Sequence, residues 1–279
     1  MRRIKSHTVE KLAYFRKYIE AYLVATKRLP IKYYIDAFAG SGKCILCDEK
    51  CKSRGGLTCH KCGGGKLVDG SAMISLKTKN TFSGYLFIDL NKNYIKELEK
   101  FIEELDQTLQ KKILLKNSDS NIVLRNIYKY IPRYAGCLIF LDPEGSELEW
   151  ETIKYLSKID KADLLILYPY DMALVRLISN YTAKLDKFYG TPDWIIIYRA
   201  KENFNAGKRK TALLNFYTRN LEKLGFKYVI CKPVRKRLRS GKSLYHLILA
   251  SHHPAATKIM EDIFNKELDE QQRIKFKIL

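Results

Sequence analysis

The chain has 279 residues, 46% of them apolar, which allows one large α/β domain, and no apolar run approaches the ~18 residues of a membrane span. Lysine and arginine outnumber aspartate and glutamate 51 to 30, a net charge of +21. A merely lysine-rich, heat-adapted surface carries acids in balance, and they are missing, so the excess points to a polyanionic partner, nucleic acid first. The N-terminus Met1-Arg-Arg-Ile-Lys5 is basic but lacks the apolar stretch of a signal peptide, so a cytoplasmic location is expected.

In chain order, His7 to Lys27 reads as a helix with apolar residues near 12, 15, 19, 22 and 23. The run Ile31-Lys-Tyr-Tyr-Ile35 reads as a buried parallel strand entering Asp36-Ala-Phe-Ala-Gly-Ser-Gly42. A strand followed by an acid and a small-residue Gly-x-Gly turn lets backbone N–H groups approach a ligand closely. Dinucleotide folds use such a turn for pyrophosphate. Here the third glycine is missing and a carboxylate precedes the loop. A carboxylate suits an amine-bearing cation, and S-adenosyl-L-methionine, with an ammonium and a sulfonium, fits better than a phosphate. Asp36, Phe38, Ala39, Gly40, Ser41 and Gly42 are the first cofactor candidates.

Five of the seven cysteines follow directly: Cys44, Cys47, Cys51, Cys59 and Cys62. Cys44-x2-Cys47 and Cys59-x2-Cys62 form two knuckles with the spacing of a structural tetrathiolate zinc site. Cys47, Cys51, Cys59 and Cys62 form an equally good quartet. Disulfides and an iron–sulfur cluster are the lesser alternatives. The segment 43–66 is thus an expected zinc-binding insertion, a basic flap bearing Lys50, Lys52, Arg54, Lys61 and Lys66, or else only a staple for a long loop. Cys137 and Cys231 fall in apolar strands and read as core.

Asp69-Gly-Ser71 then leads into a helix over 70–79, in which Met73-Ile-Ser-Leu76 resumes the fold after the insert. Strand 84–89 ends in Asp89 and Leu90. An acid there presents two lone pairs to a ribose diol. Helix 91–106 and strand 112–116 lead to Asp119, placed to reach an adenine amino group. Each of these acids is also a candidate helix N-cap, common at βα junctions. Helix 120–130, strand 136–141, helix 149–157, strand 163–168, helix 171–180, strand 194–198, helix 208–223, strands 226–232 and 244–250 and a helix near 254–267 complete the alternation. It marks a doubly wound, Rossmann-like α/β sheet with an antiparallel late edge, one domain over 1–279.

Two further segments bear on chemistry. Asp142-Pro-Glu-Gly145 stands at the fourth strand's end, where amino-methylating enzymes carry an acceptor, prolines and an aromatic residue. Asp142 and the Pro143 carbonyl can accept the target's N–H groups, whereas Glu144 cannot stack. Tyr168 or Tyr170 is the candidate replacement aromatic face, base stacking being worth ~1–3 kcal/mol; packing tyrosines are the alternative. Lys208, Arg209 and Lys210 open a helix, and Arg235, Lys236, Arg237, Arg239 and Lys242 crowd the connection between the last two strands. Such crowding suits phosphate contacts, a solvated basic surface being the alternative.

His7-Thr8, Asp36-Ala-Phe-Ala-Gly40, Asp69-Gly-Ser71, Phe87-Ile-Asp89, Leu141-Asp-Pro143 with Gly145 and Trp150, and Tyr168-Pro169 appear in this order over roughly residues 5 to 255. In this set the chain resembles the three-Cys-motif partner family of class I S-adenosyl-L-methionine-dependent methyltransferase-like proteins. The resemblance implies a Rossmann-like methyltransferase sheet, an S-adenosyl-L-methionine cofactor and a protein partner. It departs at Glu144, where that family usually has an aromatic, and it says nothing about these cysteines. With the charge, the expectation is a methyltransferase acting on nucleic acid, RNA before DNA, tRNA or rRNA, at a purine nitrogen. The alternative is a non-catalytic nucleic-acid-binding partner of another enzyme.

Overall fold

In the computed structural model, residues 2–4, 6–47, 66–169, 182–200, 205–235 and 243–265 are described. In chain order they form β1 (Arg2–Ile4), α1 (Ser6–Ala25), β2 (Lys32–Asp36), β3 (Lys43–Leu46), β4 (Lys66–Asp69), α2 (Ser71–Leu76) and β5 (Gly84–Asp89). Next come α3 (Lys92–Glu103), α4 (Gln107–Gln110), β6 (Ile113–Asn117), α5 (Ser120–Arg125), a 3-10 turn (Ile127–Lys129), β7 (Gly136–Leu141), α6 (Trp150–Leu156) and β8 (Ala162–Tyr168). The rest are α7 (Thr182–Tyr189), α8 (Trp194–Arg199), α9 (Ala206–Lys223), β9 (Tyr228–Arg235), β10 (Ser243–Ser251) and α10 (Pro254–Asn265).

Seven strands form one sheet in the order β6-β5-β2-β7-β8-β10-β9. β2 pairs in parallel with β5 and β7, and β10 runs antiparallel to both β8 and β9. β7 and β8 are buried along their whole length, as their continuous apolar runs require in a sheet covered on both faces. Alternate residues feed two cores. Ile35, Ile139 and Ile166 meet α5, α6, α7 and α9 on one face, while Tyr34, Phe140 and Leu165 meet α1, α2, α3 and α10 on the other. In α9 the buried side chains Leu213, Tyr217 and Leu221 recur every fourth residue, the stripe of a helix laid on a sheet. The chain order reverses between β2 and β7, which opens a crevice at their carboxyl ends.

The doubly wound sheet and its antiparallel edge are as the alternation suggests, with one exception. Residues 194–198, expected as a strand, form helix α8. The sheet position beside β8 is taken by β10. A helix start is written just ahead of it. Thr191 Oγ1 accepts the Asp193 N–H at 3.2 Å and the Pro192 carbonyl accepts the Ile195 N–H at 3.1 Å. Trp194 is fully buried and donates Nε1–H to Asp186 at 2.7 Å, while Ile196 is left facing solvent. Smaller differences are the break of 120–130 into α5 and the 3-10 turn, and the extension of β9 to Arg235, which places that cation in the strand rather than in the connection. The expected helix 171–180 lies outside the described residues.

The insertion leaves the fold through a stem. β3 and β4 pair antiparallel, Cys44 opposite Val68 and Leu46 opposite Lys66, and β1 joins β3 in parallel to make a small three-stranded sheet. Its base is closed by the Gly70 N–H donating to Gly42 O at 2.7 Å. A side chain at Gly70 would meet that oxygen at 2.9 Å, so glycine is needed for the approach. Among the described residues no helix is long and apolar enough to cross a membrane.

Candidate functional site

The crevice at the switch point is lined by four strand ends, and an acid stands at three of them. Asp36 closes β2 and is fully buried. Tyr34, two residues earlier on the same strand face, donates its hydroxyl to Oδ2 at 3.0 Å. The Phe38 N–H donates to Oδ1 at 3.2 Å, and the Ser71 side chain adds a third hydrogen bond. Burial still dominates and lifts the carboxyl to about 7, these hydrogen bonds opposing the rise and the nearby Asp142 adding to it.

The glycine turn follows at once. Gly40 and Gly42 both take positive φ, 62° and 78°. A side chain at Gly42 would strike Leu98 Cδ1 at 2.7 Å, whereas one at Gly40 would meet nothing within 4 Å. The turn is therefore packed on one side and open on the other. Asp89, at the end of β5, holds it from across the sheet: Oδ2 accepts the Gly40 N–H at 2.9 Å and Oδ1 the Asn91 N–H at 2.8 Å. Each oxygen keeps a second lone pair. Leu90 beside it is 74% exposed. Ser41 is buried and donates to Lys43 O at 2.8 Å, so it serves the turn. Ala39 is buried in the core under α1, and Asp69 is paired with Lys77 at 2.7 Å.

Asp119 caps α5, accepting the Asn121 N–H at 2.7 Å, in an exposed position past β6. The next residue, Ser120, donates its hydroxyl to Ala37 O and ties α5 to the loop after β2. Asp142, past the end of β7, is salt-bridged to Lys11 of α1, the two side chains 12% and 7% exposed. Pro143 is buried and Glu144 exposed. Asn121 anchors the rest of that loop by donating to Glu147 O at 2.8 Å and accepting from the Glu149 N–H at 3.0 Å and the Thr152 hydroxyl at 2.8 Å.

Asp36, Ser71, Asp89, the glycine turn and Asp142 thus meet at one crevice. Tyr168 does not join them. Its ring is fully buried between Phe188 and Tyr217, and its hydroxyl is hydrogen-bonded to that of Tyr189 at 2.6 Å. It is a packing residue with no free face for a base. Tyr170 lies outside the described residues. Of the five insertion cysteines, Cys44 lies in the stem and packs against the core, and Cys47 is buried at the stem's mouth. Cys51, Cys59 and Cys62 lie outside the described residues. Among the described residues no three metal-ligating side chains come together.

β9 runs antiparallel to β10, which runs antiparallel to β8, so Arg235 and Ser243 end and begin their strands at the carboxyl edge of β8. Lys236, Arg237, Arg239 and Lys242, between them, lie outside the described residues. Lys208, Arg209 and Lys210 occupy the first turn of α9 behind the cap Asn205, and the Arg209 guanidinium sits 4.6 Å over the Tyr198 ring. Lys210 is close enough to act on both Cys231 of β9 and His246 of β10.

Sequence reasoning passed over Lys11, Tyr34, Asn121 and His246. Lys11 had a visible sign, since it sits four residues before Phe15 on the apolar stripe of α1, where a lone lysine needs a buried partner.

No protein-family model matches the chain, and no curated protein does. Among solved structures, a Legionella pneumophila protein of the family model DUF519 is 13% identical, with a TM-score of 0.53 over 93% of this chain and 91% of its own. Trm1 from Pyrococcus horikoshii, in complex with S-adenosyl-L-methionine, is 13% identical with a TM-score of 0.46 over 92% of this chain and 58% of its own. An rRNA methylase from Streptococcus thermophilus is 10% identical with a TM-score of 0.41 over 85% and 92%. The first likeness is one of fold. That fold is α/β with a mostly parallel central sheet covered on both faces.

Proposed function

We propose that the chain is an S-adenosyl-L-methionine-dependent methyltransferase of nucleic acid, RNA before DNA, with tRNA or rRNA as substrate and a purine nitrogen as acceptor. The observation that carries it is the pairing, at one sheet edge, of a buried acid under an open glycine turn with a second, salt-bridged acid past the end of the neighbouring strand.

The residues fit the cofactor. A carboxyl lifted to about 7 by burial gains from a nearby cation, and the turn leaves open space beside Gly40. Asp36, Ser71 and the 38–42 turn would hold its amino-acid end, Asp89 its ribose hydroxyls, and Leu90 and Asp119 its adenine. When bound, this cofactor supplies an electrophilic methyl group. The chain's own part is to orient the acceptor. The salt bridge from Lys11 aims Asp142, so that Asp142 Oδ and the Pro143 carbonyl accept the two hydrogens of a target amine and turn its lone pair outward. With Tyr168 committed to the core, no described aromatic stacks the base at this loop.

Zinc in the insertion is part of the same reading. We favour the quartet Cys47, Cys51, Cys59 and Cys62, because Cys44 lies inside the stem against the core.

The test is a calorimetric titration with S-adenosyl-L-methionine, followed by labelled methyl transfer to bulk tRNA, rRNA and DNA. Micromolar cofactor binding and label in one RNA class are expected. Absence of cofactor binding overturns the reading, and cofactor binding with transfer only to DNA overturns the RNA preference.

A further inference from the structure

We propose that His246 and Lys210 together form a contact for one backbone phosphate of the polynucleotide substrate, Lys210 supplying charge and His246 a hydrogen bond. This rests on the nucleic-acid reading above and adds to it a residue that no sequence motif marked.

His246 sits in β10 opposite Tyr168, the last residue of β8, at the carboxyl edge that holds the crevice. It is 8% exposed, yet its Nδ1 has no hydrogen-bond partner. A buried polar atom left unpaired costs about 1–3 kcal/mol, and an apolar residue at this strand position would avoid that. Such an atom is usually explained by a group that arrives later. By strand alternation His246 shares its sheet face with Ile248, on which α9 packs. Lys210, the fifth residue of α9, is near enough for its charge to act on the imidazole and on the Cys231 thiol of β9.

The surroundings favour an anion. Burial first, and the Lys210 ammonium second, hold the imidazole down to about 4, so it stands as a neutral donor and acceptor beside a cation. The 18-residue helix adds the positive end of its dipole at the same place. A neutral imidazole N–H, an ammonium and a helix start converge on negative charge with oxygen acceptors, which a phosphate supplies. The Arg235 end of β9 and the Ser243 end of β10 lie on this same edge, so a polynucleotide strand leaving Asp142 across β8 would meet it.

Binding of a fluorescein-labelled tRNA transcript to the full chain, measured over a range of salt, tests this. Lys210→Ala should weaken binding and reduce the slope of log affinity against log salt by about 0.7–0.9, one counterion's worth. His246→Leu should weaken binding about tenfold at every salt with the slope unchanged, because a neutral hydrogen bond releases no counterion. It should leave S-adenosyl-L-methionine affinity unchanged and the melting temperature no lower, since the unpaired atom is gone. His246→Gln, which keeps a side-chain donor, should retain most of the affinity and serves if the leucine variant does not fold. Inorganic phosphate alone should bind at millimolar strength or weaker, and micromolar binding lost in His246→Leu overturns the polynucleotide assignment in favour of a free phosphate. Wild-type RNA affinity in His246→Leu overturns the inference. Wild-type protein that binds cofactor but no RNA overturns the nucleic-acid reading instead.

Discussion

At β2, β5 and β7 every acid is held by the chain itself. Asp36 accepts from Tyr34, Phe38 and Ser71, Asp89 from Gly40 and Asn91, and Asp142 from Lys11. At β9 and β10, on the same sheet edge, the arrangement is reversed. His246 is buried with an unpaired nitrogen, and Lys208, Arg209 and Lys210 stand near the start of α9. The first region is complete before any ligand arrives, as a site that must orient reacting groups requires. The second holds a buried imidazole nitrogen, His246 Nδ1, with no hydrogen-bond partner. Ordered carboxylates at one end and an unpaired imidazole nitrogen at the other fit the proposed enzyme better than the scaffold alternative, for which the ordered carboxylates would have no use.

The largest effect should come from breaking the ordered end. Lys11 and Asp142 are nearly buried, and removing one partner of such a pair costs about 3–5 kcal/mol. Asp142→Ala should therefore lower the melting temperature sharply and abolish methyl transfer. Those losses separate in the double variant Lys11→Met/Asp142→Leu, which should regain stability in thermal melts and stay inactive. Recovered transfer in that double variant would show that Asp142 is structural only.

The next effect is a pH dependence. Asp36 binds its proton more tightly in the folded chain than unfolded, since its value rises from 3.8 to about 7. Its contribution is therefore largest at low pH and falls as pH rises from about 4 to about 7, by on the order of a few kcal/mol. Asp36→Asn should flatten that slope in denaturant titrations across this window. In wild-type protein a cationic cofactor should bind more tightly as pH passes 7, because it meets a charged carboxylate. Equal affinity at pH 6 and pH 8 would remove Asp36 from the cofactor's charge balance.

The insertion offers a third break. Because β3 and β4 pair along the stem, Cys59→Ser/Cys62→Ser should release zinc and weaken RNA binding or lower the melting temperature while keeping cofactor affinity. Elemental analysis and two titrations measure it. Joint loss of cofactor and RNA binding would make the insertion part of the core.

Much of the ordered end could be read before the fold was known, because strand-terminal acids and glycine turns are local patterns. Asp36, Gly40, Asp89 and Asp142 fell in one crevice through parallel strands whose apolar runs were plain. What escaped were relations across the sheet. Lys11 belongs to the site because α1 lies over β7, and His246 because β10 turns back beside β8. Neither neighbour is close in sequence. The run 194–198 departs for the same reason: its isoleucines favour a strand, but the place beside β8 belongs to β10. Tyr168 looked available beside a proline, and only the packing of α7 and α9 buries it.

The smallest effect addresses Asp119, for which sequence left cap and ligand open. One oxygen accepts the Asn121 N–H, as a cap should, and the residue remains exposed past β6. Serine caps about as well as aspartate but is too short to reach an adenine, so Asp119→Ser separates the two roles. Its stability should stay within about 0.5 kcal/mol of wild type while cofactor affinity falls several-fold. Asp119→Ala should lose both, with about 1 kcal/mol of stability gone with the cap. Thermal melts and calorimetry on the two variants decide it. If Asp119→Ser binds cofactor as wild type does, the carboxylate is a cap alone, and adenine recognition passes to the exposed face of Leu90.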